Sequence, residues 1–130
     1  MDRLAWVCLG SALGGGARYL LSLGALRLLG PSFPYGTLTV NVLGSFLIGL
    51  LMHLGLEALV SPTARIFLTT GVMGGLTTYS TFNYETLRLA ADGDWHLAAV
   101  NVTATLLTCL VAGALGLASG RALVDFLAGG

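Results

Sequence analysis

The chain has 130 residues and a mass of 13.4 kDa, which is one domain at most, spanning 1–130. Only 9% of the residues are charged and 55% are hydrophobic, with a mean hydropathy of +0.86; a soluble domain carries about 25% charged residues, so a soluble enzyme is excluded and lipid is the solvent that suits this composition. The formal net charge is zero, and the six basic residues, all Arg, are scattered from Arg3 to Arg121, which excludes the gathered basic face that nucleic acid requires.

Four apolar stretches follow in order. The first runs from about Leu4 to Leu29 and closes at the turn Gly30-Pro31-Ser32-Phe33-Pro34; the second runs from Tyr35 to about Val60 and closes at Ser61-Pro62. The third begins near Arg65 and reaches about Ala91, with a polar second half, and Asp92-Gly93-Asp94 ends it. The fourth runs from Trp95 to about Leu117. Each is long enough for the ~20 residues a helix needs to cross the hydrocarbon. The sequence therefore predicts an all-α membrane protein with four transmembrane helices. A signal peptide at the N-terminus is the weaker reading, because the apolar stretches that follow leave no soluble domain to export.

The chain holds nineteen glycines, about twice the usual frequency. Gly10 with Gly14, Gly71 with Gly75, and Gly116 with Gly120 fall at the small-xxx-small spacing that lets helix backbones approach closely in lipid. Cys8 and Cys109 lie far apart in apolar runs and read as small packing residues. With four spans, Arg3, Arg65 and Arg121 fall on one side and Arg27 and Arg88 on the other. Three against two sets no orientation under the positive-inside rule, so the chain suits insertion in both directions and pairing about an axis in the membrane plane.

The stretch Gly71 to Glu85 carries the most information. Gly74 lies ~13 Å along a helix counted from Arg65, close to the middle of a ~30 Å core. Adjacent Gly74 and Gly75, followed by β-branched Thr77 and Thr78, predict a broken helix from Gly74 to Thr78. Irregular backbone at that depth survives only inside protein or beside a water-filled cavity, and broken helices are where transport proteins bind ions. The plainer alternative is a glycine kink with hydroxyls bonded back to the preceding turn; the polar and aromatic side chains after the break outnumber what such a kink can satisfy. Asn41 offers two amide donors in the second stretch. Asn101, Thr105 and Thr108 share a face of the fourth, as helix contacts or as one wall of a hydrophilic path. Arg18, about fourteen residues into the first span, and Glu85, late in the third, are the intramembrane ions; Glu57 reads as an interface residue, His53 as packing and His96 as a loop residue. No nucleophilic triad or metal cluster is legible, and the chain reads as no enzyme.

Three of these segments resemble the CrcB/Fluc family of small bacterial fluoride channels: Gly14-Gly15-Gly16-Ala17-Arg18-Tyr19, Gly36-Thr37-Leu38-Thr39-Val40-Asn41 with Gly44-Ser45-Phe46, and Gly74-Gly75-Leu76-Thr77-Thr78-Tyr79-Ser80-Thr81-Phe82. The resemblance covers most of the chain. It implies a passive channel in the bacterial inner membrane, surrounded by lipid, that exports cytoplasmic fluoride as an antiparallel, dual-topology homodimer with two pores and a central sodium ion. By the same resemblance Asn41 donates to fluoride and Phe82 offers its positive ring edge. Tyr79, where the family usually has Phe, keeps the ring; Ser80 and Thr81 add hydroxyls, and Thr39 with Thr105 continues the polar track. Arg18 and Glu85 stand at a vestibule or pore mouth, and backbone carbonyls of Gly74 and Thr77 from both subunits hold sodium. At Asn101 the family often has an aromatic-hydroxyl residue. The competing class is a small dual-topology, proton-coupled exporter of cationic compounds, which needs a buried carboxylate in the first span where this chain has Arg18. A packing subunit without transport, the third reading, needs neither Asn41 nor the polar break.

Overall fold

The computed structural model describes residues 2–56 and 59–129; Glu57 lies outside them. Every regular element among the described residues is helical: α1 (Asp2–Leu29), α2 (Tyr35–Leu56), α3 (Pro62–Ile66), a π-helical segment (Phe67–Met73), α4 (Gly74–Leu76), α5 (Tyr79–Ala91) and α6 (Trp95–Ala128). Three helices, in α1, α2 and α6, are long and apolar enough to cross a membrane. The expected third span is two shorter rods joined end to end, α3 with the π segment and α4 forming one and α5 the other.

Local chemistry sets most of the ends. Gly30 takes φ +80° and its amide donates to the Leu26 carbonyl at 3.0 Å, a left-handed stop that glycine adopts without a Cβ penalty. Gly93, at φ +91°, closes the turn between α5 and α6 in the same way. Ser61 caps α3 by accepting from the Ala64 amide at 3.2 Å, with Pro62 in the first turn. The fourth helix continues past the expected end at Leu117 to Ala128. Gly120 within that stretch is packed against His53 and stays helical, and a helix need not stop where the hydrocarbon does.

Two helix pairs form the body. α2 packs along α6, and α1 packs along the π segment and α4, while α5 rests mainly on α6. Glycine makes both contacts possible. A Cβ at Gly10 would lie 2.6 Å from the Phe67 carbonyl oxygen and one at Gly75 would lie 2.5 Å from that of Ser11, so α1 touches the π segment backbone to backbone. Gly116 meets the Phe46 carbonyl of α2 and Gly120 meets His53. The small-xxx-small pairs thus act as helix contacts, as their spacing predicts. Between the layers sits a small core of Val40, Met73 and Leu76. Leucines such as Leu13, Leu20 and Leu110 face outward, the arrangement expected where lipid replaces water.

The break is narrower than the sequence implies. Gly74 and Gly75 are helical, and only Thr77 (φ −82°, ψ 156°) and Thr78 (φ −152°, ψ 111°) are extended. Glycine at 75 serves close packing on Ser11 rather than irregular backbone. The departure from α geometry begins earlier, in the wider turns of Phe67–Met73, where the Thr69 hydroxyl donates back to the Arg65 carbonyl at 2.8 Å.

Gly116→Ala tests the α2–α6 contact. The added methyl would have to push back the Phe46 carbonyl carbon, 2.9 Å away, and the Leu50 nitrogen, 3.1 Å away, so a loss of ~1–3 kcal/mol is expected, read as a lower unfolding midpoint in detergent. Gly24→Ala, with open space at its Cβ position, should match or exceed the parent. Equal midpoints for Gly116→Ala and the parent would show that close approach there does not matter.

Candidate functional site at the helix break

Breaking a helix at Thr77 and Thr78 frees backbone groups that must find partners away from water. Asn41, on α2, supplies two of them. Its Oδ1 accepts from the Thr78 amide at 2.8 Å, and its Nδ2 donates to the Thr78 carbonyl at 3.1 Å. An amide carries two N–H donors, so one remains after this clamp is made. Thr78 then starts the next helix: its Oγ1 accepts from the Thr81 amide at 3.2 Å, as an N-cap, and donates to Thr81 Oγ1 at 2.9 Å. The Thr77 hydroxyl donates to the Met73 carbonyl at 2.9 Å, and its methyl occupies the space where a Cβ at Gly44 would stand. Gly44 therefore lets α2 come up against the break.

Two consequences follow for carbonyls. The Thr78 amide, which in a continuous helix would close on Gly74, is held by Asn41, and the Thr81 amide, which would close on Thr77, is held by Thr78. The carbonyl oxygens of Gly74 and Thr77 thus lose their helical donors. Gly74 itself is exposed, with nothing within 4 Å of its Cβ position.

A cavity of about 540 Å³ opens beside the break, and Asn41, Thr77, Thr78, Tyr79, Phe82 and Thr105 are among its walls. No residue lining it carries a charge. Phe82 is buried and Tyr79 is 78% exposed; their rings lie 5.8 Å apart, tilted by 49°. Thr105 is 7% exposed and its hydroxyl is buried without a hydrogen-bond partner, an uncommitted donor in the wall. A second cavity, of about 500 Å³, lies beside the 30–34 turn and the α5–α6 turn, and Thr37, Thr81, Glu85 and Arg88 are among its polar walls. The Glu85 Oε2 atom is buried there without a partner. Thr78 lines the first cavity and Thr81 the second, so their bonded hydroxyls join the two.

The expected site residues divide accordingly. Asn41, Gly74, Thr77, Tyr79, Phe82 and Thr105 meet at the first cavity, and Thr81 and Glu85 at the second. Thr39, Ser80 and Arg18 line neither. Thr39 is exposed, and the buried threonine of that helix is Thr37: it lies four residues before Asn41 and shares its face, whereas Thr39 lies two residues before it and turns away. Thr108 is likewise exposed, its hydroxyl bonded back to the Ala104 carbonyl at 2.6 Å; Cys109, four residues after Thr105, takes the place at the cavity. The sequence reading missed Thr37, for which the one-turn spacing to Asn41 was the available signal, and Thr86, for which there was none.

The clamp is testable by hydrogen exchange. Asn41→Ala strands the Thr78 amide and carbonyl in a dry environment at ~1–3 kcal/mol per unpaired group, so the Thr78 to Phe82 amides should exchange at least tenfold faster, measured by mass spectrometry in detergent. Unchanged protection would mean that the clamp does not hold the break.

Comparison with known proteins places this sequence in a family. Residues 5–117 match the model of the family described as CrcB-like protein, Camphor Resistance (CrcB). A protein named fluoride-specific ion channel FluC from Anaeromyxobacter sp. (strain K) is 58% identical over 113 residues, covering 86% of this chain and 90% of its own length. Proteins of the same name are 53% identical over 116 residues in Geobacter metallireducens, covering 88% of this chain and 94% of the relative, and 49% identical over 125 residues in Sorangium cellulosum, covering 95% and 98%. A match across this much of the chain, at this identity, makes the protein a member of the CrcB family.

Proposed function

We propose that this protein is a fluoride-selective passive ion channel of the bacterial inner membrane that exports cytoplasmic fluoride down its electrochemical gradient. The observation that carries the reading is the uncharged cavity at the break, lined by Asn41, whose amide keeps one donor to spare, by Thr105 and by Phe82. Fluoride is small and strongly hydrated. A path for it must replace water with neutral donors and positive ring edges, since a fixed positive charge would hold the ion instead of passing it. The hydroxyl bridge from Thr78 to Thr81 links the polar groups of this otherwise apolar lining to the second cavity and Glu85. In acid surroundings fluoride enters cells as neutral HF and ionises inside. A passive pore is then sufficient for export, because the membrane potential contributes ~2.3 kcal/mol per charge per 100 mV. The first cavity holds no carboxylate over which a proton and a cationic drug could compete; Glu85 lies at the second.

The working unit is an antiparallel homodimer of chains with four membrane passes each, the third formed by the two rods that meet at the break. The exposed ring of Tyr79 and the open space at Gly74 leave one side of the break without cover from the chain's own residues, and a second copy inserted the other way supplies it. The near-even arginine count allows that double insertion. The freed Gly74 and Thr77 carbonyls suit a hard monovalent cation, and in the pair they would hold a sodium ion between the subunits; the ion would supply the positive charge that these oxygens lack.

Fluoride efflux from loaded liposomes tests conduction. The parent should empty its fluoride on release of the potential with no pH gradient, and Phe82→Ile, which keeps apolar volume and removes the ring edge, should slow efflux at least tenfold. Undiminished efflux from Phe82→Ile would remove the ring from the mechanism. Topology is tested by adding a pair of arginines to the 30–34 turn, which should force one insertion direction and inactivate the protein alone. Co-expression with a variant biased the other way should restore flux; full activity of the singly biased variant would exclude an antiparallel unit.

A further inference from the structure

Phe82 is bracketed by two anchors, each one helical turn away. Four residues before it, Thr78 is clamped to α2 by Asn41. Four residues after it, the Thr86 hydroxyl donates to the carbonyl of Phe82 itself at 2.8 Å and accepts from Asn101 Nδ2 on α6 at 2.9 Å. Asn101 is 1% exposed and lines neither cavity. Its contact with Thr86 is the side-chain hydrogen bond that joins α5 to α6 among the described residues. Thr105, which lines the first cavity and whose buried hydroxyl has no partner, stands one turn further along the same face of α6.

We propose that Asn101 is a positioning residue for anion selectivity: through Thr86 it sets the distance between the Phe82 ring on α5 and the Thr105 hydroxyl on α6. A threonine hydroxyl has one proton and two acceptor sites. Donation to the Phe82 carbonyl uses the proton, and the Asn101 amide fills an acceptor site, so neither polar group is left bare in an apolar layer. Because the chain end of the relay is the carbonyl of Phe82, a shift at Asn101 moves the backbone that carries the ring. A small anion needs both walls at once to replace its water, whereas a larger, weakly hydrated anion needs them less. Loosening the relay therefore lowers the preference for fluoride more than it lowers the passage of ions. This inference rests on the proposed fluoride conduction.

The experiment compares fluoride with chloride efflux from liposomes for the parent, Asn101→Leu, Thr86→Val, the double variant and Thr86→Ser, and follows amide exchange across residues 79–91 of each. Thr86→Val keeps the side-chain shape, so the test does not depend on the folding of Asn101→Leu. The fluoride-to-chloride ratio should fall on the order of tenfold, the scale of one lost buried hydrogen bond. The fall should be equal in both single variants and no larger in the double, since one relay is removed each time. Thr86→Ser should keep the parent ratio, and exchange near Phe82 should quicken in the three variants that lack the relay. Unchanged ratios, or losses that add in the double variant, would overturn the proposal. If the parent moves no fluoride, the channel reading fails, and exchange decides the relay separately: equal quickening in the singles and the double supports it, and unchanged exchange overturns it.

Discussion

The structure depends on how two extended residues are kept satisfied inside a bundle of apolar helices. Thr77 and Thr78 interrupt the helical ladder where water is scarce, and an unpaired backbone group there costs several kcal/mol. Asn41 answers as a surrogate peptide, accepting from the Thr78 amide and donating to its carbonyl. Everything nearby is arranged to let it do so. Gly44 removes a side chain so that the break can lie on α2, and Thr78 turns its own hydroxyl to start α5. The clamp also determines which carbonyls are released, because an amide held by Asn41 or by a threonine hydroxyl cannot close on the turn before it.

Close backbone packing makes such a break tolerable. α1 meets the π segment through Gly10, Gly14 and Gly71, and α2 meets α6 through Gly49 and Gly116. In lipid there is no hydrophobic drive between helices, so these contacts stabilise through dispersion, which needs short distances. The result is a rigid frame around a flexible chemical choice. Within that frame the cavity beside the break has mostly apolar walls, with a few hydroxyl, amide and aromatic groups and no charge, a composition that would not trap an anion that must enter, lose water and leave.

Membrane residence, the helix boundaries near Leu29, Tyr35, Ala91 and Trp95, and a polar amide at Asn41 within the second apolar stretch were legible in the amino-acid order. Each is set by local composition: an apolar run long enough to span, a turn of Gly, Pro or Asp, or a polar side chain stranded at depth. The family motifs added Phe82 and Tyr79, whose roles no spacing reveals. Reading failed where neighbours in space override neighbours in sequence. The break read as Gly74 to Thr78, yet its first half stays helical, with Gly75 pressed against Ser11, and the interruption falls on Thr77 and Thr78, the latter held by Asn41.

The sequence by itself determined that this is a helical chain for lipid, interrupted in its third apolar stretch and poor in charge, because hydropathy, glycine spacing and β-branching act over a few residues. Tertiary structure alone decided which polar side chains share a space. Thr37 replaces Thr39 beside Asn41's face, Cys109 replaces Thr108 beside Thr105, and Asn101 turns from the cavity to Thr86. Those outcomes depend on the rotation of each helix about its axis, a quantity that the packing of its neighbours sets and that a nearly uniform apolar sequence leaves open.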